Sequence, residues 1–194
     1  KVKEILAISQ EGPFCLDGTG KLVWQAAPGE GYVGPVALAP AASDGIPRLY
    51  CWRGTNLMAY DAGLGDLLWQ CTLEDIGLDG IVSLALGDLD RDGTQDVIAG
   101  GKQGQVAAVS FDGKLLWKTT VAKSAVRLAV ADVDMDTALE VIAATEEGML
   151  LGLDCAGETK WKIECGAPLK TGPVALDLDE DNLIELLCQG TSLR

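Results

Sequence analysis

Apolar and polar positions change over in short runs along this chain, and no run of useful length keeps a helical period. Stretches such as IVSLALGDL, DVIAGG, QVAAVSF and KLLWKTTV are apolar and rich in β-branched residues, and the breaks between them carry glycine and aspartate. Each predicts a β-strand, and the four together predict one unit. The unit recurs. GDLDRDGTQDVIAGG, residues 87–101, returns as ADVDMDTALEVIAAT from Ala131 and as LDLDEDNLIELLCQG from Leu176. The leading acids Asp88, Asp132 and Asp177 are 44 and 45 residues apart. A degraded copy, APAASDGIPRLYCWR, begins at Ala39, 48 residues before its neighbour. Near the start, KEILAISQEG resembles the second half of a unit.

A second marker keeps the same beat. LDGTGKLVW, YDAGLGDLLW, FDGKLLW and LDCAGETKW end at Trp24, Trp69, Trp117 and Trp161, with spacings of 45, 48 and 44. Four strands in about 45 residues is the period of a propeller blade. One such sheet cannot bury both of its faces, so neighbours must stack. The fold class expected is therefore all-β, a β-propeller of four-stranded blades. Its divisions are a partial blade at 1–35, blades at 36–82, 83–125 and 126–172, and a partial blade at 173–194. A closed four-bladed ring would leave one strand redundant, so the expectation is a section of a seven- or eight-bladed ring. Two such chains completing one ring is the other arrangement. The tryptophans are read as blade-to-blade packing.

Composition narrows the chemistry. The 194 residues carry a formal charge of −14 and 48% hydrophobic residues, so the chain is acidic without the composition of a disordered one. Such a surface repels nucleic acid and anionic lipid. No apolar run approaches the length of a membrane span, so no membrane insertion is expected. The chain opens on Lys1, which points to a processed product, a trimmed one or a fragment. There is no histidine, which removes the commonest general base and zinc ligand.

The acids within the repeat are the candidate chemistry. Asp88, Asp90 and Asp92 alternate, Gly93 allows a positive φ, the carbonyl of Thr94 adds an oxygen and Asp96 closes the set. Hard oxygen donors with about four negative charges suit calcium better than magnesium. The loop is not an EF-hand, because position twelve is Ala99 and strands flank it. The second loop offers Asp132, Asp134, Asp136, the carbonyl of Ala138 and Glu140, with Thr137 in place of Gly93. The third offers Asp177, Asp179, Asp181, the carbonyl of Leu183 and Glu185, with Asn182 at that position. The glycine position ranks expected occupancy as first, third, second. In the degraded copy the ligand positions are Pro40, Ala42, Asp44 and Arg48, so that loop should hold no ion and Asp44 can pair with Arg48. The three ligand sets hold 12 of the 29 acids, and three calcium ions would bring the formal charge from −14 to −8.

DLDRDGTQD, DVDMDTALE and DLDEDNLIE resemble the FG-GAP or VCBS repeat family, the calcium-loop propeller blades of integrin α chains and many bacterial secreted proteins. The FDGKLLW-type endings are similar to blade endings of quinoprotein propellers. The family resemblance implies calcium ligation by the matching acids. It leaves activity open, since members include adhesion proteins, scaffolds, lectins and accessory domains of enzymes.

Six cysteines show no C-x-x-C spacing, and Cys51 and Cys188 share a slot with Ala7, Ala99 and Ala143 that calls for a small residue. Trp52 is off the tryptophan beat, and two readings stand: an exposed aromatic for sugar or partner contact, or a space-filler in a blade that lost its ion. The function expected is a non-catalytic, calcium-stabilised propeller scaffold, extracellular or periplasmic, presenting loops to a protein or glycan partner. The alternatives are the propeller portion of an enzyme, of polysaccharide lyase or quinoprotein type, or a lectin.

Overall fold

A computed structural model describes residues 4–27, 31, 34–181 and 183–190. The described residues form seventeen strands and no helix, so none is long and apolar enough to cross a membrane. Two compact units divide the chain, Lys1–Leu73 and Glu74–Arg194.

The first unit holds a three-stranded sheet of β1 (Ile5–Ser9), β2 (Gly12–Leu16) and β3 (Leu22–Gln25), and a four-stranded sheet of β4 (Ala37–Ala39), β5 (Arg48–Arg53), β6 (Asn56–Asp61) and β7 (Leu67–Thr72). The second unit holds two four-stranded sheets. One is β8 (Ile81–Gly87), β9 (Asp96–Gly101), β10 (Gln105–Val109) and β11 (Leu115–Thr120). The other is β12 (Val126–Ala131), β13 (Glu140–Thr145), β14 (Met149–Leu153) and β15 (Thr159–Glu164). A hairpin of β16 (Val174–Leu176) and β17 (Glu185–Leu187) follows. Every sheet is an antiparallel meander, each strand pairing with its sequence neighbour.

The middle strands are apolar between their ends because both of their faces are covered. DVIAGG and EVIAAT are buried at every position. Between the two large sheets of the second unit, Ile98, Val106, Ala108, Val126, Val141 and Leu153 form one core. Small residues let the sheets approach: a Cβ on Gly100 would lie 2.3 Å from the carbonyl oxygen of Val126. The Leu128 N–H donates to Ser83 Oγ at 3.0 Å, joining β12 to β8. In the first unit a separate core gathers Cys15, Trp24, Leu49, Cys51, Met58 and Tyr60. The outermost strands read differently. LLWKTT and TKWKIE expose alternate positions, as expected for strands with one covered face.

Candidate metal loops

Each acidic loop joins the first strand of a sheet to its second, where the meander must turn within a few residues. The three loops share one hydrogen-bond scaffold. The closing acid reaches back to the backbone: Leu89 N–H donates to Asp96 Oδ2 at 2.9 Å, Val133 N–H to Glu140 Oε2 at 2.9 Å, and Leu178 N–H to Glu185 Oε2 at 2.7 Å. The third aspartate caps the turn. Thr94, Ala138 and Leu183 N–H groups donate to Asp92, Asp136 and Asp181 Oδ1 at 2.8, 2.7 and 2.7 Å. In the first two loops the leading aspartate accepts from the turn itself, Gly93 N–H to Asp88 Oδ2 at 3.0 Å and Thr137 N–H to Asp132 Oδ2 at 2.9 Å. Local turn bonding by aspartate is what makes the alternating pattern foldable.

Carboxylate oxygens then converge. Oxygens of Asp88, Asp90 and Asp96 lie within 4.8 Å of one another, as do those of Asp132, Asp134 and Asp136, and those of Asp177, Asp179 and Glu185. The expected fourth carboxylate of each set is engaged elsewhere. Asp92 Oδ1 also accepts from the Thr94 hydroxyl, Asp181 Oδ1 caps Leu183, and both oxygens of Glu140 are taken.

Each of the first two loops carries a left-handed residue at two places, and the third at one place among its described residues. Gly93 has φ 86°, as the sequence suggested, and Thr137 adopts 70° at the equivalent position despite its branched side chain. The residue between the second and third aspartates is left-handed too: Arg91, Met135 and Glu180 have φ of 61°, 62° and 64°. That second turn was not legible from composition, since none of the three is a glycine. Asn182, expected to ease the third turn, lies outside the described residues.

The electrostatics of the first two loops diverge. Asp96 is fully buried, and its Oδ1 has no hydrogen-bond partner. Burial pushes its carboxyl up to about 6, the Leu89 N–H opposes this, and the charges of Asp90, Asp92 and Asp88 add to it. Among the described residues, the first-loop acids accept only from backbone N–H groups and the Thr94 hydroxyl. In the second loop an ammonium is present. Lys160 Nζ donates to Asp134 Oδ2 at 2.6 Å, to Glu140 Oε1 at 2.8 Å and to Asp136 Oδ2 at 3.3 Å. The bonds to Asp134 and then Glu140 hold the lysine pKa above its ordinary value. The Ala138 N–H, and then Lys160, hold Asp136 below its own.

The degraded loop carries a cation of its own. Arg48 donates through Nη2 to Asp44 Oδ2 at 2.5 Å and through Nη1 to the Ile46 carbonyl at 3.0 Å. Its side chain is only 8% exposed, so the guanidinium fills the position that the closing acid occupies in the other copies.

Comparison with known proteins fixes the architecture. The family model described as the lambda-carrageenase beta-propeller domain matches residues 97–177. No curated protein matches the chain. Among solved structures, the chain is similar to the Vibrio cholerae biofilm matrix protein Bap1, with TM-score 0.68 and 22% identity over 90% of this chain and 28% of that one. It is similar to BamB from Moraxella catarrhalis, with TM-score 0.63 and 17% identity over 91% of this chain and 50% of that one. It is similar to Saccharomyces cerevisiae Sqt1, with TM-score 0.72 and 15% identity over 96% of this chain and 53% of that one. The fold is a β-propeller. The chain spans less than two thirds of the length of each of these structures.

Each four-stranded sheet is thus a blade, and two of the tryptophans pack blade on blade. Trp24 Nε1 donates to the Ala62 carbonyl of the following blade at 3.2 Å, and Trp117 Nε1 to the Cys155 carbonyl of the following blade at 2.7 Å. Each indole lies on a glycine of that blade's outer turn. A Cβ on Gly65 would sit 2.4 Å from Trp24, and one on Gly157 would sit 2.5 Å from Trp117. Just before each tryptophan the outer hairpin bulges. The pairing skips Val23, Leu68, Leu116 and Lys160 in turn. The sequence reading followed the tryptophans and missed the residue before them. The signal was there: three apolar residues and one lysine.

The remaining marked residues are structural. None of the six cysteines, all of them described, is in a disulfide. Cys51 is 2% exposed in the slot where Ala99 and Ala143 are fully buried, and burial pushes its thiol up to about 12. Trp52 is half-buried against the backbone of Gly34, where an added Cβ would lie 2.3 Å from its Nε1, which favours the space-filling reading. Tyr50, fully buried, sets its ring 5.8 Å from that of Trp69.

Proposed function

We propose that this chain is a non-catalytic section of a calcium-stapled propeller, of the FG-GAP or VCBS kind, which presents its loops to a protein or glycan partner. The observation that carries the reading is the buried, unpartnered Oδ1 of Asp96, gathered with Asp88 and Asp90 within 4.8 Å. A buried carboxylate with no counter-charge is costly. A divalent cation on those oxygens would satisfy all three acids at once, and an all-oxygen set is the donor chemistry of calcium. Asp88, Asp90 and Asp96 would hold the ion, with Asp92 and the Thr94 carbonyl as further donors. Asp177, Asp179 and Glu185, with Asp181 and the Leu183 carbonyl, would serve the third loop in the same way. The second loop has the parallel set of Asp132, Asp134, Asp136, Glu140 and the Ala138 carbonyl.

The ion would act as a staple. It would neutralise repulsion between acids and fix the link between the first and second strands of a blade. Calcium near millimolar, as outside cells or in a periplasm, would fill a site of about 10 μM affinity and add about 2.7 kcal/mol. An extracellular or periplasmic setting follows from that demand. Protein partnership is supported by neighbours such as BBS1N, solved in complex with ARL6DN, with TM-score 0.71 and 10% identity over 96% of this chain and 59% of that one. The test is a thermal melt in EGTA and in 1 mM calcium, with Asp88→Ala/Asp90→Ala alongside. A calcium-dependent rise of several degrees, reduced in the variant, is expected. Equal melts in both media would sink the reading.

The match of residues 97–177 to the lambda-carrageenase propeller model favours a second reading, the propeller portion of a polysaccharide-degrading enzyme. Release of new reducing ends from λ-carrageenan by the purified chain would establish it. Binding to that polysaccharide without cleavage would instead make the chain a glycan-binding section.

A further inference from the structure

We infer that Lys160 is a built-in cation that takes the place of a metal ion in the second loop, so that the Asp132–Glu140 loop stays metal-free while its neighbour in the preceding blade binds calcium. The inference rests on the calcium reading of the first loop. Four observations support it.

The first is contact. The ammonium touches Asp134, Asp136 and Glu140 at 2.6, 3.3 and 2.8 Å. Those are three of the four acids on which a divalent ion in this loop would depend. A carboxylate oxygen bonded to an ammonium is not free to ligate, and an ion that entered would face a positive charge at contact distance.

The second is origin. Lys160 is the extra residue of a β-bulge, skipped between the Gly152–Trp161 and Leu153–Thr159 pairs. Bulges re-aim side chains, and this one sends a lysine from β15 across β14 to Glu140 at the start of β13. The side chain is 29% exposed, while that of Glu140 is 1% exposed. The charge is tethered, so it needs no supply of ions from solution.

The third is the contrast with the preceding blade. The bulge there falls at Leu116, between the Ala108–Trp117 and Val109–Leu115 pairs. The same position in the meander brings no charge, and the closing acid it would serve, Asp96, keeps an unpartnered buried oxygen, whereas both oxygens of Glu140 are bonded and the unpartnered oxygen of the second loop is that of Asp132, which Lys160 does not touch.

The fourth is precedent within the chain. In the degraded loop, Arg48 already stands where the closing acid would be and holds Asp44. The fold has thus placed an internal cation against a loop aspartate twice, from two different strands.

The experiment is equilibrium dialysis of the 194-residue chain against radioactive calcium, with Lys160→Met and the reciprocal Leu116→Lys. Circular dichroism checks that each variant keeps its β-sheet. We expect Lys160→Met to hold one more ion than the native chain, and Leu116→Lys one fewer. If the native chain already holds three ions, the lysine swings aside, and the inference falls while the calcium reading stands. Equal counts in the native chain and Lys160→Met overturn the inference whatever the native count is. If the native chain holds none and Lys160→Met holds one, the lysine inference stands and the calcium reading of the native loops falls. Should Lys160→Met fail to fold, Leu116→Lys decides alone: loss of one ion supports the inference, and retention overturns it.

Discussion

The loops Asp88–Asp96 and Asp132–Glu140 sit at the same place in successive blades, share their hydrogen-bond scaffold nearly bond for bond, and differ in what answers their negative charge. Each keeps one buried carboxylate oxygen without a partner, Asp132 Oδ1 in the second loop, but in the first that oxygen belongs to the closing acid, Asp96. In the second, a lysine supplies one positive charge to three acids. Backbone turn chemistry and charge compensation are therefore separable in this fold. The aspartates earn their place in the turn by capping N–H groups, and the demand for a cation is a by-product met in different ways.

The largest expected effect is metal removal. EGTA should lower the melting temperature of the native chain by several degrees relative to 1 mM calcium, on the scale of about 2–4 °C per kcal/mol for a chain of this size. Asp88→Ala/Asp90→Ala should lose much of that difference.

Next come two substitutions that make the same chemical change in the two loops. In EGTA at pH 7, Asp96→Asn removes a buried charge that nothing compensates and should stabilise the chain by on the order of 1 kcal/mol. Glu140→Gln removes a charge that Lys160 already answers and should lower the melting temperature by a few degrees. In calcium the Asp96→Asn chain should fall below the native one. Melts that move in the same direction for both variants in EGTA would break the comparison.

A smaller effect is the response to pH in EGTA. The Asp96 carboxyl is raised in the folded chain, from 3.8 to about 6. Its contribution is therefore fully present below about 4 and is lost as pH rises through about 6. Asp136 is held below its ordinary value, first by the Ala138 N–H and then by Lys160. Its contribution is present above about 4 and is lost as pH falls further. Denaturant titrations from pH 3 to 7 should show the upper slope vanish in Asp96→Asn and persist in Glu140→Gln.

The smallest effect is backbone strain. Thr137 holds a φ of 70° where the first loop uses Gly93. Thr137→Gly should stabilise by about 0.5–1 kcal/mol, and Gly93→Thr should destabilise by about 1 kcal/mol. Urea midpoints at constant slope measure both.

Most of the blade plan was legible because it is written in repeated, local signals. The apolar runs, the Asp-rich turns and the tryptophan beat each recur near 45 residues, and propeller blades pair only sequence neighbours. The convergence of acids was legible for the same reason, since alternation within a tight loop is local. The Lys160 contact was not. It spans 20 residues to Glu140 and 26 to Asp134, and it depends on a bulge that no propensity marks. The left-handed Arg91, Met135 and Glu180 were hidden too, because three unrelated side chains occupy a conformation set by the loop and not by the residue. The pairing of Arg48 with Asp44 was readable because both partners lie within one loop.

The tryptophan contacts give the chain a direction. Trp24 and Trp117 each reach forward to hold the outer turn of the next blade, at the carbonyls of Ala62 and Cys155. In each of these two pairs the earlier blade thus completes its successor's hairpin. Under a pulling force, losing the later blade of a pair would leave the earlier one's hairpin untouched. Losing the earlier blade would unlatch the later one's hairpin before the force reached it. Each pair should yield at different loads from its two sides.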